Sequence, residues 1–174
     1  MSRQSGDRDG IDERRDQWSL ELPDLDTRGM AVLGRMRAIT LTVRGPIEKI
    51  FAERDLDSGE FDVLATLLRS GPPYKLRPTE LFRSLMISSG GLTDRLGRLA
   101  KADLISRAPA ADDARSLLVC LTERGRALAV ETFRADMALE AELIAALSAD
   151  EQRQLEGLLR KLAHSVGSYC SNLP

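Results

Sequence analysis

The stretch Pro78-Thr79-Glu80-Leu81-Phe82-Arg83-Ser84-Leu85-Met86-Ile87-Ser88-Ser89-Gly90-Gly91-Leu92-Thr93-Asp94-Arg95-Leu96-Gly97-Arg98-Leu99-Ala100-Lys101 decides the fold. Proline suits the first turn of a helix, where its missing N–H costs nothing, so Pro78 opens a helix over 78–85. That helix is too short to stand alone and must pack on a neighbour. The neighbour is predicted over 88–101, with Ser88 as its cap and Leu92, Leu96 and Leu99 on one apolar face. Ser89, Thr93, Asp94, Arg98 and Lys101 occupy the opposite face. Downstream, 104–107 and 117–121 read as strands flanking a charged tip at 110–116. Two helices at helix-turn-helix spacing followed by such a hairpin predict a winged helix: a mainly α fold with a small β wing, made to hold double-stranded DNA. The small Ser88-Ser89-Gly90-Gly91 run would let the second helix bring its N-terminus close to phosphate and base edges. Arg115, buttressed by Asp113, is placed to enter a minor groove. The expected DNA-binding residues are therefore Ser88, Ser89, Gly90, Gly91, Thr93, Asp94, Arg98, Asp113 and Arg115.

Charge placement agrees with that reading. The whole chain carries a net charge of −2, yet residues 75–126 hold ten basic against six acidic side chains. The positive excess thus falls on the winged-helix segment, and placement matters more than the total.

With 174 residues, 43% of them apolar, the chain is long enough to bury roughly 70% of its unfolded surface as one globular unit. The expected division is an unstructured 1–11, N-terminal dimerisation helices over 12–56, the winged-helix domain over 57–122 and C-terminal dimerisation helices over 123–174. A short helix bearing Trp18 is expected over 12–20, then a long one over 26–54 with Val32, Met36, Ile39, Val43, Ile47 and Ile50 in a stripe. Gly45-Pro46 should interrupt it with a bend, because proline removes a hydrogen bond inside a helix and costs ~3 kcal/mol unless the site is kinked or repacked. Asp57 with Glu60 forms a capping box for the next helix, Thr122 caps a helix over 123–147, and Ser148 with Glu151 caps the last, over 149–166. The terminal helices carry more apolar surface than one small winged helix covers, which calls for a second copy of the chain.

Other functions lack their chemistry in this sequence. The first ten residues contain no apolar core for a signal peptide, and no stretch approaches the ~20 apolar residues of a membrane span, so a cytoplasmic protein without membrane contact is expected. His164 is the single histidine, and no phosphate loop, metal spacing or catalytic triad accompanies it, so neither an enzyme, a metal nor a cofactor is expected. Two alternatives stay open: a thiol-based redox-sensing regulator using Cys120 or Cys170, and a winged helix used for protein contacts.

The segments Gly59-Glu60-Phe61-Asp62-Val63-Leu64-Ala65-Thr66-Leu67, Pro78-Thr79-Glu80-Leu81, Ser88-Ser89-Gly90-Gly91-Leu92-Thr93-Asp94-Arg95-Leu96, Asp112-Asp113-Ala114-Arg115 and Leu121-Thr122-Glu123-Arg124-Gly125-Arg126 together resemble the MarR family of bacterial transcriptional regulators. The resemblance implies a homodimer held by its N- and C-terminal helices and repression relieved by a small molecule. It is strongest to the urate-responsive branch, which adds an N-terminal helix with a tryptophan. Trp18, Asp62, Arg95 and Arg107 match the positions with which that branch contacts its ligand and relays the contact to the DNA-binding lobe, implying a small anionic effector such as urate.

Arg95 is also out of place on physical grounds, since it falls on the apolar side of its helix and needs an anionic partner. Asp62 or an anionic ligand would serve. The alternative is a purely structural Arg95–Asp62 pair with Trp18 as a core aromatic. The chain departs from the family pattern at Arg77, before Pro78, at Asp103, where glycine usually ends the recognition helix, and at Gly45-Pro46. Aspartate tolerates the left-handed conformation that position 103 requires.

Overall fold

A computed structural model describes residues 8–86, 91–109 and 117–171. Among them are α1 (Gly10–Glu21), α2 (Arg28–Ala52), α3 (Ser58–Arg69), β1 (Lys75–Leu76), α4 (Pro78–Ser84), α5 (Leu92–Lys101), β2 (Ile105–Pro109), β3 (Leu117–Leu121), α6 (Glu123–Leu143) and α7 (Ala149–Ser171). The chain divides into two compact units within α2, one up to Lys49 and one from Ile50 onward.

In the first unit, α1 starts at Gly10, two residues earlier than expected, because Asp9 caps it. The Asp9 carboxylate accepts the N–H groups of Ile11 and Asp12, and the Asp12 carboxylate accepts the N–H of Asp9. Arg35 of α2 then reaches that box, donating Nε to Asp9 at 2.7 Å and Nη2 to Asp12 at 2.7 Å. These contacts hold both carboxyls below the usual aspartate range, chiefly through the Arg35 hydrogen bonds. Ile11 is buried, and its side chain lies against Gly34, where an added Cβ would meet Ile11 Cδ1 at 3.2 Å. The helix does not end at Gly45-Pro46: α2 runs through Pro46, whose turn is bracketed by an Arg44–Glu48 ion pair at 2.8 Å. Proline's lost hydrogen bond is tolerated here without ending the helix.

In the second unit the core gathers around α3. Val63, Leu64 and Leu67 are fully buried with Leu81 of α4 and Leu99 of α5, and Phe61 stacks on Phe51 with ring centroids 4.4 Å apart. The capping box at Asp57 and Glu60 starts α3 where the sequence places it. Pro78 occupies the first turn of α4, and the Glu80 carboxylate accepts the Arg77 N–H at 2.8 Å, so the helix begins without a capping side chain at position 77. The wing is a three-stranded antiparallel sheet in the order β1-β3-β2, with Lys75 opposite Cys120 and Arg107 opposite Val119. Sequence periodicity misses β1, because two residues are too few to alternate. The hairpin tip lies outside the described residues.

The α5 helix begins at Leu92 with Gly91 as its N-cap in a left-handed conformation (φ 74°), so the helix starts later than the Ser88 cap would place it. At its far end Asp103 adopts the expected left-handed conformation (φ 57°). Thr122 fixes that end to α6 by accepting the Gly125 N–H at 2.9 Å and donating its hydroxyl to the Asp103 carbonyl at 2.8 Å. Gly125 lies so close that a Cβ there would stand 1.9 Å from the Leu104 carbonyl oxygen.

Beyond this junction α6 ends at Leu143, four residues short of the expected 147, and α7 continues to Ser171. Ser148 and Glu151 cap α7 as predicted, with the Ser148 N–H donated to the Glu151 carboxylate at 2.8 Å. The α7 helix has no buried residue, and Leu155, Leu158, Leu159, Val166 and Tyr169 are exposed along it. On α6, Asp136 is buried, its Oδ1 has no partner among the described residues, and burial pushes its carboxyl above the usual range.

Gly125→Ala is expected to lower stability by ~3 kcal/mol, because the new methyl group must displace backbone and not a flexible side chain. Chemical denaturation measures the loss; a change below about 0.5 kcal/mol would contradict the close α5–α6 junction.

Candidate nucleic-acid interface and switch residues

The first turn of α3 seats two arginines of α5. Asp57 and Glu60 each use one carboxylate oxygen for the capping box: Asp57 Oδ1 accepts the Glu60 N–H at 2.7 Å, and Glu60 Oε2 accepts the Asp57 N–H at 2.9 Å. The remaining oxygens accept from Arg98, whose Nε reaches Glu60 Oε1 at 2.6 Å and whose Nη2 reaches Asp57 Oδ2 at 2.8 Å. Glu60 is buried while the Arg98 and Asp57 side chains are each about half exposed. A buried carboxylate needs a partner for each oxygen, and this arrangement supplies both.

Arg95 runs across the same turn. A Cβ on Gly59 would lie 2.2 Å from Arg95 Nε and 2.5 Å from its Cζ, so any larger residue there would have to push the side chain of the half-buried Arg95 out of this seat. One turn further along α3, the buried Asp62 accepts the Met86 N–H at 2.8 Å and so ties down the chain just after α4. Asp62 and Arg95 therefore both act on α3 within the second unit. Trp18 belongs to the first unit, on α1, and is 47% exposed, so it is not a core aromatic there. Arg107 is exposed on β2.

Of the residues expected at DNA, Gly91 occupies the N-cap of α5, and Thr93 and Asp94 are exposed on its first turn. Arg98, also expected at DNA, has its guanidinium engaged by Glu60 and Asp57. Ser88, Ser89, Gly90, Asp113 and Arg115 lie outside the described residues. Beside Thr93, an open cleft is lined by Pro78, Thr79, Phe82, Arg83 and Leu92. The exposed α4 residues among these have no periodic signal that would single them out, and sequence reasoning passed over them.

Gly59 and the Arg98 partners were also missed. The Asp57–Glu60 spacing announces a helix cap, but its second role depends on a residue 38 positions away. Among the described residues no group of three or more potential metal ligands occurs. Cys120 is half-buried in β3, whereas Cys170 and His164 are exposed on α7. No helix among the described residues is long and apolar enough to cross a membrane.

Comparison with known proteins places this geometry. A family model described as "MarR family" matches residues 54–116, which span the α3 cap, both helices of the motif and the first hairpin strand, β2. The chain is 36% identical over 146 residues to the HTH-type transcriptional regulator PecS of Dickeya dadantii, covering 84% of this chain and 88% of that protein. It is 36% identical over 109 residues to the multiple antibiotic resistance protein MarR of Salmonella typhimurium, covering 62% and 74%. Among solved structures, a mutant MarR from E. coli complexed with operator DNA superposes with a TM-score of 0.63 at 27% identity, covering 83% of this chain and 96% of that one.

Gly59→Ala is expected to cost about 1–3 kcal/mol by displacing Arg95, and adding Arg95→Ala should recover most of that loss because the methyl group then has space. Urea midpoints of the two single variants and the double variant measure the coupling. Strictly additive costs would show that Arg95 is not seated on Gly59.

Proposed function

The chain belongs to the MarR family of DNA-binding transcription regulators and is not an enzyme, and we propose that it is a homodimeric repressor released from a palindromic operator by a small anionic effector. The observation that carries this reading is α5: a short helix with an exposed polar first turn, held against α3 by two arginines, in the segment with the chain's positive excess. Helices presented this way read base edges in a major groove while neighbouring groups contact phosphate. Ser88, Ser89, Gly90, Gly91, Thr93 and Asp94 are assigned to that contact, with Arg115 and its buttress Asp113 in the minor groove.

Uncovered apolar side chains support the dimer. Val32, Leu33, Met36 and Ile39 are exposed on α2 in the first unit, and Leu155, Leu158, Leu159 and Tyr169 on α7 in the second. Helix faces of this kind need a partner, and a two-fold dimer would set two recognition helices ~34–36 Å apart on DNA.

Effector response is assigned to Trp18, Asp62, Arg95 and Arg107. A planar anion would pair with Arg95, which belongs to the recognition helix itself; Trp18, an exposed aromatic on α1 of the first unit, is assigned from the family likeness. Any change in the partners of Arg95 is then felt by the helix that reads DNA. Asp62, tied to the chain after α4, is the group with which the anion competes, and Arg107 at the base of the wing relays the change. Urate is the first candidate, from the likeness of these four residues to the urate-responsive branch. A ligand shifts such an equilibrium only by its differential affinity for the two shapes.

Titration of the purified protein against the intergenic DNA beside its own gene tests the proposal, repeated with urate, xanthine, trans-aconitate and salicylate. Urate is expected to lower DNA affinity roughly 5- to 150-fold, with Trp18→Phe weakening that response while sparing DNA binding and Arg95→Ala abolishing it. Equal release of all three proteins, or no release at millimolar urate, would reject the assigned effector residues. Sedimentation of a folded monomer at micromolar concentration would reject the dimer.

A further inference from the structure

We propose that Arg98 is a positioning residue for DNA recognition: it acts through Asp57 and Glu60 to fix the angle of α5, and does not itself contact the nucleic acid. The inference rests on the DNA-binding reading above and revises one residue of it. By helical spacing Arg98 shares the polar face of α5 with Thr93 and Asp94, and an arginine there invites assignment to a phosphate. The structure gives it a different occupation. Its Nε and Nη2 meet the two carboxylate oxygens that the α3 capping box leaves over, at 2.6 and 2.8 Å.

The energetics favour that occupation. If Arg98 swung to a phosphate, Glu60 would keep a buried carboxylate with one oxygen stripped of its partner, a costly state. It would also leave two uncompensated carboxylates on the lobe that approaches DNA, repelling the ligand that Arg98 had moved to meet. Held in place, Arg98 pairs with both, offsets one of their two charges, and ties the middle of α5 to the start of α3. Arg95, one turn earlier, lies across Gly59 on the same α3 turn. The recognition helix therefore meets α3 at two successive arginines, one packed and one ion-paired.

The two models predict opposite signs for a removed charge. Asp57→Asn retains a good N-cap and Glu60→Gln retains a capping-box partner, yet each replaces an acceptor for Arg98 with a group that has lost its charge. Electrostatics alone would make both variants bind DNA more tightly, because a negative charge near the phosphates has gone. Positioning predicts the reverse. Operator affinity is expected to fall about three- to tenfold in each, with Arg98→Gln equally affected and Arg98→Gln/Glu60→Gln no worse than either alone. The slope of log K against log salt should stay at its wild-type value in Arg98→Gln.

Tighter or unchanged binding in Asp57→Asn and Glu60→Gln would overturn the proposal, as would a slope reduced by about 0.9 in Arg98→Gln, the mark of one lost phosphate contact. Thermal denaturation without DNA supplies the arm that does not depend on the function. Arg98→Gln and Glu60→Gln should lower the midpoint non-additively, and additive losses would overturn the ion-paired seat. A wild-type protein that binds no duplex at any salt concentration would reject the DNA-binding reading, while the denaturation result would still decide the seat of Arg98.

Discussion

The carboxylates of Asp57 and Glu60 are each divided between two duties, and the placement of α5 depends on that division. One oxygen of each closes the α3 cap, and the other receives Arg98. Capping alone would satisfy the orphan N–H groups of a helix end but would leave buried oxygen without a partner at Glu60. The arginine completes the set and in doing so brings in a second helix. The first unit uses the same device at α1, where Asp9 and Asp12 form the cap and Arg35 of α2 binds both. In each unit a local signal for starting a helix becomes a tertiary contact that fixes where a neighbouring helix lies.

At its other end α5 is held by backbone and not by charge. Asp103 turns the chain in the left-handed conformation, Thr122 bonds its carbonyl, and Gly125 allows the start of α6 to press on Leu104. The helix to which the DNA contact is assigned in our proposal is thereby attached to α3 through Arg95 and Arg98 and to α6 at its end. Long helices with uncovered apolar faces continue from that point, so a change in how two copies meet has a direct route to the recognition helix. An effector that alters the partners of Arg95 would act on the opposite end of the same lever.

Much of this was legible in the sequence because local chemistry dictates it. The spacing of Leu92, Leu96 and Leu99, the caps at Asp57, Thr122 and Ser148, and the strand-turn-strand pattern after Asp103 each specify their element over a few residues. The family resemblance then put Asp103 at a left-handed position, where the structure has it. Pro46 does not end α2, because the turns on either side keep the helix going despite one lost hydrogen bond. Gly91 was read as part of a helix that it in fact starts, and β1 was too short to carry a period. The seat of Arg98 on Asp57 and Glu60, and that of Arg95 on Gly59, join residues more than 30 positions apart. No local pattern announces such contacts, and one arginine on a polar helix face looks like another until its partner is seen.

Native-state hydrogen exchange measures most directly whether α5 and α3 form one cooperative element. If the two arginine contacts hold the recognition helix to the core, the amides of Leu96 and Leu99 should exchange with the same opening free energy as those of Leu64 and Leu67, through a shared unfolding event. Exchange at Leu96 and Leu99 through a separate opening several kcal/mol lower would show α5 to be a loosely held helix and would contradict the account.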